Sequence, residues 1–205
     1  MATKLDVYND ALRQLGERPL LSLTEATAPR RSMDAAWDGT VATCLEAGLW
    51  RHALRTVELG EDNDVGATFG YEYGYTLPDD YVRLAEISAD PRFSDPLWDY
   101  RLEGKARLYA SVEPLYLSYV SNDTEYGMDL TAWPQFFAEA VGAELALRIS
   151  LQVNQNRTDR NDLITIAKSM MATARSHDAL DKPNRRLPVG RLVRSRMGTR
   201  DYSRG

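Results

Sequence analysis

Apolar residues recur at helical spacing near both ends of the chain and in alternation through its middle. Leu5, Tyr8, Leu12 and Leu15 follow one another at steps of three, four and three, which puts them on one helical face. Thr3 and Asp6 stand where a capping box needs its hydroxyl and its carboxylate. Gly16, followed by Pro19, ends the helix. Leu20, Leu21 and Leu23 lie in the connector that follows, and their apolarity implies packing. A second helix is predicted from about Pro29 to Trp50, with Met33, Trp37, Val41, Cys44, Leu45 and Leu49 inward. Trp50 to Ala53 closes it.

The period then shortens. Leu54 to Leu59, Tyr81 to Ile87 and Leu115 to Val120 read as strands, and Trp98–Leu102 with Ala106–Tyr109 as a hairpin about Gly104. Leu115, Leu117 and Tyr119 alternate with Tyr116, Ser118 and Val120, so both faces have apolar character and a strand covered on both sides is expected. Tyr75 and Leu77 end a strand before a rigid turn at Pro78-Asp79-Asp80, because proline fixes its own φ and pushes the preceding residue toward extended backbone.

Helical periodicity returns at Thr131 to Gln155, with Pro134 at its first position. Trp133, Phe136, Phe137, Val141, Leu145, Ile149 and Leu151 leave that helix little polar surface, as in a buried or interfacial helix. A fourth helix starts at Thr158 or Asp159, buries Leu163, Ile166, Ala167, Met170, Met171 and Ala174, and ends near Leu180. The expected fold is α+β: a four-helix bundle (1–53 and 131–181) with an inserted small antiparallel β domain (54–130) and an extended basic C-terminal arm (182–205).

Charge sharpens the picture of the arm. Residues 182–205 hold eight Lys or Arg against one acid, a net +7, while the rest of the chain holds 17 basic and 29 acidic residues, a net −12. The arm has no sustained periodicity, so alone in solution it is expected to lack a fixed fold. Its basic residues Arg185, Arg186, Arg191, Arg194, Arg196 and Arg200 suit phosphates or an acidic partner. Its spaced apolar residues Leu187, Val189, Leu192, Val193 and Met197, with Tyr202, favour folding onto a protein.

Catalytic chemistry is not indicated. The lone Cys44 excludes an intrachain disulfide and a cysteine-based zinc site, and the helical spacing places it on an apolar face. His52 and His177 are the only histidines and carry no metal-ligand spacing around them. Asp79 and Asp80 are adjacent carboxylates, but in a post-proline turn such residues cap local backbone more often than they share a proton. Asp62 to Gly66 departs from the calcium-loop pattern, and no phosphate-binding glycine loop or nucleophile elbow occurs. Tyr71, Tyr73 and Tyr75 could stack on bases, with core packing as the default. No apolar run approaches the roughly 18 residues of a membrane span, and the N-terminal residues lack a signal-peptide apolar region. The expectation is a protein made in the cytoplasm, or carried out of a cell within a larger particle.

The order of these signals resembles the head-to-tail adaptors of short-tailed phages, the tail tubular protein A family. The resemblance rests on Ala11-Leu12-Arg13-Gln14-Leu15-Gly16-Glu17, Leu21-Ser22-Leu23-Thr24-Glu25, Cys44 to Trp50 with Ala53, and Tyr75-x-Leu77-Pro78-x-Asp80-x-x-Arg83. It extends through the apolar helix from Phe136 to Ala146. It implies a helical bundle with a β insert, present as a dodecameric ring beneath the portal protein, with a tail or nozzle protein on the other side. It implies no catalytic activity, no cofactor and no membrane contact. It also implies that the arm docks on the portal, while Leu15, Gly16, Trp50, Leu77, Pro78, Asp80 and Arg83 serve the fold. The expected location is the virion neck, with genomic DNA passing through the ring without specific binding. An acidic body agrees, since like charge keeps phosphates from sticking. The alternative is a nucleic-acid-binding module that uses the same arm.

Overall fold

A computed structural model of the chain describes residues 2–153 and 157–180. Helix α1 spans Lys4–Gln14 and is capped at both ends by its own sequence. The Thr3 hydroxyl accepts from the Asp6 amide and the Asp6 carboxylate accepts from the Thr3 amide, the reciprocal pair of a capping box. At the other end Gly16 has φ +70°, and the amides of Glu17 and Gly16 donate to the carbonyls of Leu12 and Arg13. This is a Schellman motif, and glycine enters the left-handed region without the Cβ penalty. The following connector is pinned by Asn9, whose side chain donates to the Leu20 carbonyl and accepts from the Leu20 amide. Leu20 is thereby buried and Leu23 packs beside it, whereas Leu21 is exposed.

Helix α2 (Ala28–Glu46) starts at a Thr27 cap and stops short of the expected Trp50, which instead leads a single 3-10 turn at Arg51–Ala53. Helix α3 (Gln135–Val153) begins one residue after Pro134, whose carbonyl accepts from Phe137 and Ala138, so Pro134 caps the helix instead of opening it. Helix α4 spans Arg157–Leu180. Along α4, Leu163, Ala167 and Ala174 are buried and Met170 and Met171 partly so, while Ile166 stays exposed.

The six strands are β1 (Leu54–Leu59), β2 (Tyr73–Thr76), β3 (Tyr81–Ser88), β4 (Tyr100–Glu103), β5 (Arg107–Ala110) and β6 (Leu115–Ser121). They form two antiparallel three-stranded sheets, β1-β6-β3 and β2-β5-β4.

The chain is α+β, but the expected four-helix bundle with one small inserted β domain is not what forms. The β region holds two sheets, and α1, α2 and α4 all pack on α3 as their common partner. The reason lies in β6, the centre of its sheet and apolar on both faces. Leu115, Leu117 and Tyr119 turn to one side, where they join Tyr75, Leu108 and Ala110 of the second sheet in a separate core. Val120 turns to the other side and joins the helical core with Leu54 and Val82. A strand that buries both faces needs a layer on each, so sheet β1-β6-β3 is shared between helices and second sheet.

Candidate functional site

Two places in the fold bear on function: the turn before β3, and the end of α4 from which the basic arm departs.

The turn joins distant parts of the chain. Leu77 is buried in the second core, and Pro78 leads into the turn. Asp79 is exposed, whereas Asp80 turns inward. The Asp80 carboxylate accepts from Arg55 Nη1 at 3.0 Å, Tyr119 Oη at 2.9 Å and Ser121 Oγ at 2.5 Å. Its backbone carbonyl accepts from Asn122. Asp80 thus ties β1 and β6 to the start of β3. Burial raises its pKa, but the hydrogen bonds from Ser121, Arg55 and Tyr119 outweigh that, and the net shift is downward. On the Tyr119 hydroxyl, burial and the neighbouring carboxylate act together to raise the pKa. Arg83 extends the same device to the helices by donating from Nη1 to the Glu46 carbonyl at the end of α2, 2.9 Å away. Asp79 and Asp80 therefore stand in different surroundings, and Asp80 is a structural brace.

The end of α4 is equally tied down. Trp50 is buried, donates from Nε1 to the Cys44 carbonyl at 2.7 Å, and meets Phe137 edge to face at 4.8 Å between centroids. The Arg51 amide donates to Asp178 near the end of α4. His177 stacks on Phe136, with ring centroids 3.7 Å apart. Between these groups lies a hollow of about 230 Å³, lined by Trp50, Pro134, Phe136, Phe137 and Leu180 among others. Leu180, the last described residue, is 78% exposed. Every predicted arm residue, from Arg185 to Tyr202, lies outside the described residues.

His52 sits against Phe137, 4.6 Å between centroids, and neither ring nitrogen has a hydrogen-bond partner among the described residues. Burial lowers its pKa to about 4. The unfolded chain binds a proton near pH 6.5 and the folded chain only near pH 4, so stability is full above pH 6.5 and falls as pH drops through that window. The full drop is about 3 kcal/mol at 1.36 kcal/mol per unit. Urea midpoints measured from pH 7 to pH 4 should fall for the wild type and fall markedly less for His52→Phe, which keeps the ring and removes the proton site.

The remaining candidates are structural. Cys44 is buried, and burial pushes its thiol up to about 12, which keeps it unreactive. Tyr75 is buried with its hydroxyl donating to the Val112 carbonyl, Tyr73 packs against the second core, and the Tyr71 hydroxyl donates to Asp99. Leu15 and Gly16 end α1, apart from the turn at Asp80 in the chain but similar in role. Among the described residues no group of three or more His, Cys, Asp or Glu is placed to hold a metal ion, and no helix is long and apolar enough to cross a membrane.

Sequence reasoning missed the partners of Asp80, because Arg55, Tyr119 and Ser121 are far from it in the chain. It also placed Trp98 in a hairpin strand, whereas the residue precedes β4 and is 85% exposed. No family model matches the chain. No curated protein matches it either.

Proposed function

We propose that this chain is a structural connector that joins a phage portal to its tail, with residues 182–205 as the portal-docking arm. The observation that carries the reading is the division of charge: an arm of net +7 leaves a body of net −12. The arm's charge suits an acidic partner surface, and its spaced apolar residues give it the means to fold onto a protein groove. The resemblance to tail tubular protein A adaptors supplies the partner and the ring. The turn residues of that resemblance act here as braces between helices and sheets, which suits a subunit that must hold its shape under load. In this reading the ring is homo-oligomeric and uses no cofactor; DNA passes its acidic body without being held.

The test is deletion. A chain ending at Asp181 should stay folded and lose attachment to the portal from the same genome. Unimpaired attachment would remove the arm from its role. The second reading, a nucleic-acid-binding module, is favoured by the same eight basic residues. It requires DNA binding whose logarithm falls with the logarithm of salt concentration by nearly one unit per phosphate contacted.

A further inference from the structure

At the end of sheet β2-β5-β4, two loops hold aromatic side chains out to solvent. Trp98 is 85% exposed and Phe69 59% exposed. Phe69 has φ +58°, a strained conformation for a bulky side chain that costs on the order of 1–3 kcal/mol. The loop is held in that state by specific contacts. The Arg101 guanidinium lies over the Phe69 ring at 3.9 Å, Tyr109 meets that ring edge-on, and the Tyr71 hydroxyl donates to Asp99 at 3.1 Å. These contacts bring the Phe69 loop beside Trp98, which adjoins Asp99. An exposed, preorganised cluster of Trp, Phe, Tyr and Arg is the composition of a protein-binding hot spot. Glu72, Asp95 and Asp99 flank it in the chain against Arg92 and Arg101, which leaves a slight excess of acid.

A complementary surface exists on the same chain. Between α2 and α4, over α3, runs an open groove of about 330 Å³ lined by Ala47, Leu147, Ile164, Ala167 and Met171. An apolar cavity of about 150 Å³ takes up benzene, so this groove has room for an indole. Lys168 and Arg175 stand on the groove, and neither forms an ion pair among the described residues. The groove's acid, Glu144, is already paired with Arg148.

We infer that Trp98 of one copy inserts into the α2–α4 groove of the next, with Asp95 and Asp99 facing Lys168 and Arg175. The charges choose this occupant. The basic arm would meet like charge at Lys168 and Arg175, whereas the acidic flank of Trp98 meets opposite charge. Knob and groove are different surfaces of one chain, so the contact is heterologous and repeats from copy to copy, closing into a ring where the rotation allows. The inference deepens the ring reading above and rests on it for its setting.

The test uses two full-length single variants that leave Trp98, Lys168 and Arg175 in place, Ser94→Cys and Ala172→Cys, mixed and mildly oxidised. Both positions are exposed, so both variants should fold, and buried Cys44 does not compete. The expected result is a disulfide-linked heterodimer in excess of random pairing. A heterodimer no more abundant than random pairing gives, or none at all, overturns the inference, and the groove then belongs to another occupant. Portal attachment through the arm is measured separately, so a failure here leaves that reading standing, and a failure there leaves this contact standing.

Discussion

Asp80→Ala is expected to lower the free energy of unfolding by about 1–3 kcal/mol, the cost of leaving buried hydrogen-bonding groups without their partner. Three donors lose their acceptor at once: Arg55, Tyr119 and Ser121. Tyr119 and Ser121 are both fully buried, so water does not readily replace the carboxylate. Asp80→Asn, which keeps one oxygen acceptor and the side chain's shape, should cost distinctly less. Acid reproduces part of the effect. The folded pKa of Asp80 lies below the ordinary 3.8, so its contribution is present above that value and is lost as pH falls below it through the folded pKa. Urea unfolding of the two variants at pH 7 measures the difference. Equal, small losses for Ala and Asn would contradict the role assigned to the charge.

Trp50→Ala is expected to cost more, about 3–5 kcal/mol, for loss of a buried aromatic side chain and the cavity it leaves. Trp50 is 1% exposed and lies where α2 ends, the 3-10 turn begins and α3 passes. Its indole also approaches Gly48 so closely that a Cβ there would stand 2.9 Å from the ring, which makes glycine a requirement of the packing. Trp50→Phe retains the contact with Phe137 and gives up the hydrogen bond to Cys44, for a smaller loss of about 1 kcal/mol. Thermal and urea unfolding should rank the three chains as wild type, Phe, Ala. An Ala variant as stable as the Phe variant would show that the hollow beside Phe137 collapses freely.

Legibility in the sequence followed the range of each interaction. The capping box at Thr3 and Asp6, the glycine stop at Gly16 and the hairpin at Gly104 are local, and each forms where its residues predict. Strand β6 was legible for the same reason, since its two apolar faces alternate within seven residues. What those faces pack against was not legible. The second sheet depends on β2, a four-residue strand containing Gly74, whose place beside β5 is set by partners more than thirty residues away. Asp80 shows the same limit. A post-proline aspartate predicts a local cap, but its acceptors are filled by donors 25 to 41 residues distant. Trp98 fails in the opposite sense. Its place in the pattern predicts a strand, while β4 begins only at Tyr100 and leaves the indole in the preceding loop. The four-helix bundle was expected from three amphipathic segments and one apolar nearly all round, and periodicity says which face is buried without saying against what.

The central claim, that the basic arm joins this subunit to a portal, is tested most directly by the mass of the complex formed with the portal from the same genome. Full-length chain and a chain ending at Asp181 are each added in excess. The account predicts that the full-length chain adds the mass of a complete ring and that the truncated chain, still folded, adds none. Equal added mass from both chains, or none from either, would contradict it.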